Sequence, residues 1–398
     1  MFYPSEVQIK DFKRVFLPKK SHSLKKLRTC DGPMSAIDRY CMHLIVTATN
    51  WFLWALCATL APVAKAVITD QDPNTRYMCR GTLSDYAACQ CREEESELAC
   101  INAQFVDTDV FLHVNNHYRH LKKVTFHGNN FQDLPDSALF GQHDHKELQV
   151  LNISANYIVN LNKFALKGMP NLRVLDLSNN EIVLKEENVN FLTHTPKLRE
   201  LYLRRAFTSV VNRSQQFDIM LRMFENANLQ HLEVLDLSYN YFHSVPYELP
   251  CPFPALKTLD LRQNLLKTLS INTTCLHNVD KVDLTRNYFR GLDKTFREQT
   301  ANHLPDQSLL MRNSFFCDCN SHEYIQWIRA SNKIRDKGSL LCARASPEEY
   351  IGVRLVEVPL KQLDCSKSLN HSSPSVSAPT SHWIFTTILS LVLSIVLY

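Results

Sequence analysis

The cysteines carry the clearest chemistry in this sequence, because their number and grouping are typical of oxidation to disulfides. Ten of the 13 lie downstream of residue 66, an even number, as expected for an exported chain. A zinc site built from thiolates is the alternative at either cluster. They form an N-terminal cluster, a central pair and a C-terminal cluster: Cys79, Cys89, Cys91 and Cys100; Cys251 and Cys275; Cys317, Cys319, Cys342 and Cys365.

An apolar stretch near the N-terminus predicts export. Residues 42–66 are mostly apolar and end in Ala64-Lys65-Ala66, a pattern that precedes signal cleavage. We expect cleavage after Ala66, with an uncleaved signal anchor as the alternative. Residues 1–41 carry nine basic and four acidic side chains, so of the whole-chain net charge of +4 the remainder carries about −1. This balance argues against a nucleic-acid partner.

Four Asn-x-Ser/Thr sequences are candidate N-glycosylation sites, which fits an exported chain. Their acceptors are Asn152, Asn212, Asn272 and Asn370.

No catalytic signature stands out in the sequence. Six histidines between residues 113 and 145, including His143 and His145, match no metal-ligand spacing, and no nucleophile elbow or phosphate-binding Gly-rich loop is present. The sequence therefore predicts that the protein is not an enzyme and uses no metal or cofactor.

A sequence repeat determines where these residues lie in the fold. The phrase Leu-x-x-Leu-x-Leu-x-x-Asn recurs about every 24 residues, and its copies end at Asn129, Asn156, Asn180, Asn240, Asn264 and Asn287. The three apolar positions point into a core, and the residues between them alternate outward as in a short strand. The closing Asn can bond backbone groups where the chain turns. One unit cannot bury its own apolar face, so the units must stack into a solenoid.

The phase of the repeat makes two further predictions. Cys251 and Cys275 each lie eleven residues after a closing Asn, in adjacent units. Equivalent positions in stacked units should be roughly 4.8 Å apart, within the range of about 4.4–6.8 Å for a disulfide, which predicts a Cys251–Cys275 bond away from the strands. In the fourth unit Ala206 replaces the closing Asn, and apolar residues at helical spacing within 207–231 predict an amphipathic helical insert.

The repeat phrases and the flanking cysteine clusters resemble the extracellular leucine-rich repeat family. The resemblance implies an α/β fold, a right-handed leucine-rich repeat solenoid of horseshoe shape with disulfide-bonded N- and C-terminal caps. It also implies first-to-third and second-to-fourth pairing within each cluster. The implied bonds are Cys79–Cys91, Cys89–Cys100, Cys317–Cys342 and Cys319–Cys365.

The chain is expected to divide into six segments. These are a basic leader with signal peptide (1–66), an N-terminal cysteine cap (67–105), about seven repeats (106–308, insert at 207–231), a C-terminal cysteine cap (309–365), a Ser/Pro-rich stalk (366–382) and a hydrophobic tail (383–398). The tail has 16 residues, fewer than the roughly 20 of a spanning helix. Small residues before it, including Ser373 and Ser375, fit glycosylphosphatidylinositol attachment within 370–377. A retained membrane helix is the alternative.

The outward residues of the concave strand face form the expected partner surface. The candidates are Asp176, Tyr202, Arg204, Asp236, Asp260, Arg262 and Asp283. A mixed stripe of this kind would steer a charged protein partner, whereas the alternative is that Asp at this phase is ordinary repeat chemistry. Asn152 falls on the same face, where a glycan would obstruct its N-terminal half.

These features favour a glycoprotein on the extracellular face of the plasma membrane that binds a protein ligand or co-receptor. Attachment would run through the C-terminal tail or a lipid anchor. The insert with Asn212-Arg-Ser and the Asn313-Ser-Phe-Phe-Cys317 entry into the C-terminal cap are similar to those of oncofetal cell-surface antigens of the family, which implies a role in restraining Wnt signalling. The alternative is a structural or adhesive cell-surface or matrix protein that acts through homophilic or glycan contacts.

Overall fold

The computed structural model of the chain describes residues 89–92, 94–114, 120–208 and 213–365. The chain divides into two units, Met1–Thr75 and Arg76–Tyr398, and every described residue belongs to the second. The expected signal peptide, stalk and tail lie outside the described residues, as do five candidate site residues: Cys79, Asn212, Asn370, Ser373 and Ser375. Within the described ranges, no helix is both long and apolar enough to cross a membrane.

A ten-stranded sheet forms the framework, and its strand order follows the chain order. Strands β1 and β2 pair antiparallel, and each later neighbour pairs parallel. The strands are β1 (Cys89–Arg92), β2 (Glu97–Ile101), β3 (Lys123–His127), β4 (Val150–Asn152), β5 (Val174–Asp176), β6 (Glu200–Tyr202), β7 (Val234–Asp236), β8 (Thr258–Asp260), β9 (Lys281–Asp283) and β10 (Leu309–Leu310). One parallel strand per repeat is the arrangement that a solenoid produces. Each repeat forms one turn of the solenoid, called a coil below.

The apolar positions of the repeat phrase form the core of the stack. In the third coil Leu172, Leu175 and Leu177 are at most 1% exposed. The central residues of neighbouring strands are register partners, as Leu151, Leu175 and Leu201 are in β4, β5 and β6. Positions of equal phase therefore lie in continuous rows, which confirms the repeat solenoid predicted from the sequence.

The closing asparagines join each coil to the coils on either side. The Nδ2 group of Asn180 donates to the carbonyl of Ile153 in the preceding coil at 3.1 Å and to that of Leu177 in its own coil at 2.8 Å. Its Oδ1 atom accepts from the backbone N–H groups of Asn156 and Ile158, each at 3.0 Å. Because these groups are buried, leaving one unpaired would cost about 1–3 kcal/mol.

The sequence between Ala206 and the next repeat phrase contains a helix, α1 (Arg213–Asn226). Its fully buried side chains are Ile219, Met220, Met223 and Phe224. The helix packs against the 3₁₀ helix Glu186–Asn190 of the preceding coil, and Phe224 meets Phe253 of the next coil edge-on at 5.1 Å. The apolar side chains that recur at the 3.6-residue helical period of the insert therefore pack into the same core as the strands.

Disulfides close both ends of the stack. Cys89 and Cys100, register partners in β1 and β2, are bonded to each other, and Cys91 is also in a disulfide. At the other end, α2 (Lys294–His303) precedes β11 (Phe315–Cys317), α3 (His322–Ala330) and β12 (Cys342–Ala345), and β11 pairs parallel with β12. The C-terminal bonds are Cys317–Cys342 and Cys319–Cys365. These described pairs are the ones that the resemblance implies.

A further disulfide joins two neighbouring coils within the stack. Cys251 and Cys275 are bonded, with their Cα atoms 5.0 Å apart. This is the pairing that the repeat phase predicts. Two neighbouring coils are therefore held together covalently as well as by packing.

Candidate partner-binding surface

The solvent side of the parallel sheet, called the strand face below, carries most of the residues that the sequence proposes for partner binding. The third residues of successive strands are register partners and form one row across it. The row consists of Asn152, Asp176, Tyr202, Asp236, Asp260 and Asp283. Short strands on a rigid stack thus fix six polar side chains at the spacing of adjacent strands, roughly 4.8 Å.

The carboxylates of this row bond to their own turns. Asp236, Asp260 and Asp283 each accept a hydrogen bond from the backbone N–H two residues later, at 2.8, 3.0 and 3.0 Å. Asp176 does the same at 2.9 Å. The first three are only 8%, 5% and 4% exposed. The acidic stripe therefore terminates strands, as Asx turns do, and offers little surface to a partner.

The crowding of these carboxylates has an electrostatic consequence at Asp260. Burial, together with the flanking carboxylates of Asp236 and Asp283, raises the pKa of Asp260 to about 6. The N–H of Arg262 and its guanidinium, whose Nε lies 3.1 Å from Asp260 Oδ2, oppose this shift. The Arg262 side chain is therefore partly occupied by its ion pair with Asp260.

Two other candidate residues remain more accessible. Tyr202 is half-buried, and its hydroxyl donates to Glu200 Oε2 at 2.8 Å. Burial is the largest cause of the raised pKa of Tyr202, and the hydrogen bond to Glu200 raises it further. The exposed Arg204 lies over the ring of Tyr239, 4.2 Å from its centroid. Tyrosine and arginine are enriched among residues that dominate interface energies. Tyr202 and Arg204 are therefore stronger candidates for partner contact than the buried aspartates.

A groove along the edge of the stack, beside the closing asparagines, was not predicted from the sequence. This edge groove has a volume of about 730 Å³. It is lined by Ala155, Tyr157, Asn179, Asn180, Glu181, Arg205, Phe207, Thr208, Tyr241 and Leu265. Tyr157 and Tyr241 are 59% and 49% exposed, so two large amphipathic rings are available to a ligand.

The repeat phase explains how this groove is built. Tyr157, Glu181, Phe207 and Tyr241 each directly follow the closing position of a coil, so they form a row beside the asparagine ladder. Phe207 follows Ala206 and packs near Phe242, with 6.0 Å between ring centroids. A recurring Asn-Tyr pair is the sequence signal that could have identified the groove.

The described glycosylation candidates lie on different sides of the stack. Asn152 is half-buried on the strand face, where its Oδ1 accepts from the N–H and hydroxyl of Ser154 at 2.9 and 2.6 Å. Asn272 caps the 3₁₀ helix Thr273–Leu276 beside the Cys251–Cys275 bond. Its Nδ2, the atom that would carry a glycan, donates to Glu248 at 3.1 Å. Modification of either residue remains a prediction.

The geometry gives no support for a metal centre among the described residues. One group there brings three residues of ligand type together, Glu248 with Cys251 and Cys275, but both sulfur atoms belong to a disulfide. His143 is exposed, whereas His145 is buried with its ring edge-on to Phe140 at 5.4 Å between centroids.

Comparison with known proteins agrees with this architecture. Residues 146–206 and 231–252 match two families that both carry the description leucine-rich repeat. These two segments are therefore leucine-rich repeats. The chain is 27% identical to trophoblast glycoprotein of Macaca fascicularis over 295 residues, covering 71% of this chain and 68% of the relative. It is 25% identical to Toll-like receptor 5 of Homo sapiens over 253 residues, covering 61% of this chain but 27% of the receptor.

A solved structure shows the same fold. The crystal structure of human trophoblast glycoprotein, also named Wnt-activated inhibitory factor 1, matches this chain with a TM-score of 0.59 at 25% identity. The match covers 70% of this chain and 99% of that structure. The resemblance stated from the sequence is thereby confirmed.

Proposed function

We propose that this leucine-rich repeat protein is a cell-surface glycoprotein that binds a protein partner and modulates extracellular signalling. The edge groove is the observation that carries the proposal. It places two exposed tyrosines, Tyr157 and Tyr241, around Arg205 and Glu181 on rigid coils. Rigid aromatic and arginine side chains around a concave surface are typical of protein interfaces.

The surface extends from the edge groove onto the strand face. Arg204 and Arg205 are consecutive and both exposed, and Arg204 lies over the Tyr239 ring. We therefore assign partner contact to Arg204 and the accessible part of Tyr202, and not to the buried aspartates. A glycan on Asn152 would cover part of the strand face and leave the edge groove as the main contact surface.

The likeness to trophoblast glycoprotein and to Toll-like receptor 5 supports the signalling part of this proposal. Of these proteins, human trophoblast glycoprotein is also known as Wnt-activated inhibitory factor 1. Wnt signalling is accordingly the first pathway to test, and the effect of this chain on Wnt-dependent transcription is the quantity to measure. Attachment to the membrane, through the C-terminal tail or through a lipid anchor at Ser373 or Ser375, is part of the same proposal.

The test is a binding screen of tagged extracellular proteins against cells that display the full chain. We expect one saturable heterotypic partner. We expect Tyr157→Ala with Tyr241→Ala to weaken its binding at least about 30-fold, since even one tyrosine anchor contributes about 2 kcal/mol or more and every 1.4 kcal/mol is a factor of about ten. Tyr247→Ala is the control, because Tyr247 is 47% exposed but does not line the edge groove.

Two outcomes would contradict the proposal. Equal loss of binding in the control and in the groove variant would show that the edge groove is not the contact surface. Self-binding of the chain without a heterotypic partner would favour the alternative, an adhesive cell-surface or matrix protein.

A further inference from the structure

A second groove, distinct from the edge groove, lies where the last coil meets the C-terminal cap. This arginine groove has a volume of about 570 Å³. Its lining includes Arg286, Tyr288, Arg290, Arg312, Phe316 and Arg344. The described lining holds four arginines and neither Asp nor Glu. All four arginines are exposed, so the groove concentrates positive charge at the surface.

The asparagine ladder positions the first two arginines. Arg286 and Arg312 directly precede Asn287 and Asn313, so they have the same phase in neighbouring coils. The N–H of Arg286 donates to the carbonyl of Arg312 at 2.8 Å, and the N–H of Asn287 donates to Asn313 Oδ1 at 2.6 Å. The backbones that carry these two guanidinium groups are therefore fixed beside each other.

An aromatic ring positions the other two arginines. The guanidinium carbons of Arg290 and Arg344 lie 5.0 and 5.5 Å from the centroid of the Phe316 ring. Phe316 is the register partner of Arg344 in the β11–β12 pair, and its N–H donates to the carbonyl of Arg290 at 2.8 Å. Cation–π contact holds Arg290 by the flat face of its guanidinium group, so its N–H groups lie at the edge, where an anion can meet them. The same ring fixes the charge of Arg344 beside it.

Like charges gathered in this way repel one another, and the carboxylate of Asp336, which interacts with Arg312, offsets only part of the four positive charges. Guanidinium groups recognise sulfate and phosphate oxygens through paired N–H donors. A ligand with several such groups would contact both arginine pairs at once. The gathered charge therefore fits a polyanion better than a single small ion.

The backbone of the groove argues against an acidic peptide that binds by adding a strand. Such binding needs unpaired backbone groups at a sheet edge. Here the N–H groups of Arg286, Asn287, Tyr288 and Phe316 are already engaged within the chain. Recognition must come from side chains, which suits a polymer that presents sulfates and hydroxyls along its length.

We propose that the arginine groove binds a sulfated glycosaminoglycan chain. The proposal shares with the proposed function only the extracellular location and requires no protein partner. Arg286 and Arg312 would bind one sulfate cluster, and Arg290, with the positive charge of Arg344 beside it, would bind the next along the chain. The protein would then be held near other glycan-bound molecules at the cell surface.

The test measures binding of a fluorescent heparin oligosaccharide to the purified full chain in detergent. Arg286→Gln with Arg290→Gln is expected to weaken binding about 100-fold, or about tenfold for each lost charged contact. Arg173→Gln with Arg199→Gln is the matched control, since it removes two exposed charges elsewhere on the stack. The control should change the affinity less than about twofold. Equal weakening by both double variants would overturn the proposal.

Two further arms identify the ligand chemistry. Desulfated heparin should bind far more weakly than heparin, and equal binding of the two would overturn the proposal. A polyglutamate peptide that bound in place of heparin would assign the groove to an acidic protein segment instead. Equal thermal unfolding temperatures of the native chain and both double variants would show that all are folded. The affinity for heparin should also fall with added salt, less steeply in the groove variant.

Discussion

Asn240 accepts hydrogen bonds from the backbone N–H of Ala206, which occupies the closing position of the fourth coil, at 2.9 Å and from that of Phe207 at 3.3 Å. Its Nδ2 donates to the carbonyl of Leu203 in that coil at 2.8 Å and to that of Leu237 at 2.9 Å. The fourth coil has no asparagine of its own at this position. It is therefore held from the next coil, across the site where α1 is inserted.

We expect Asn240→Ala to lower the free energy of unfolding by about 3 kcal/mol, because it leaves several buried backbone groups of the fourth coil unpaired. Urea unfolding of the purified chain measures this difference. The control is Asn278→Ala, since Asn278 is exposed and should change stability by less than about 0.5 kcal/mol. Equal effects of the two substitutions would contradict the bridging role of Asn240.

The sequence predicts the coils well because one leucine phase determines both the buried face and the register. Leu175 and Cys251 could be placed by counting from the nearest closing Asn. The burial of Asp260 was not predicted, because a short carboxylate bonds to its own turn instead of extending to solvent. The edge groove was missed because Tyr157 and Tyr241 lie in different coils, and only the stack brings them together.

Helix α2 shows a different limit of prediction. It begins after Asp293, which accepts from the N–H of Phe296 at 2.8 Å. Phe296 is buried at 4% exposure, and Thr300 one turn later is fully buried. Such a mostly polar segment gives little hydrophobic periodicity, so the cap was the clearest signal for this helix.

The attachment of α1 to the stack can be tested at Gln216. Its Nε2 donates to the carbonyl of Leu184 at 2.7 Å, and its Oε1 accepts from the N–H of the same residue at 2.6 Å. We expect Gln216→Ala to destabilise the helix by about 1–3 kcal/mol, seen as faster amide hydrogen exchange within α1. Gln215→Ala is the control, because Gln215 is exposed. Unchanged exchange in the Gln216 variant would show that apolar packing alone holds α1.

The Cys251–Cys275 bond is expected to stabilise the stack between the coils that it joins. It closes a loop of 24 residues, for which chain entropy gives about 3 kcal/mol. The double substitution Cys251→Ser with Cys275→Ser should lower the unfolding temperature without changing the repeat fold seen by circular dichroism. In the native chain, neither thiol should react with an alkylating reagent before reduction. Labelling without reduction would contradict the bond.

The stability of the strand face should depend on pH through Asp260. Its pKa is raised to about 6, above the value of about 3.9 in an unfolded chain, so the folded protein loses stability as the pH rises through this interval. Asp260→Asn keeps the Oδ1 acceptor for Arg262 N–H and removes the carboxylate charge next to Asp236 and Asp283. It should therefore stabilise the protein by about 1–2 kcal/mol at pH 7.4 and by much less near pH 4. Asp176→Asn is the matched control, because its register partners, Asn152 and Tyr202, carry no carboxylate. A gain that was constant across this pH range, or equal in the two variants, would show that the three carboxylates do not repel one another as proposed.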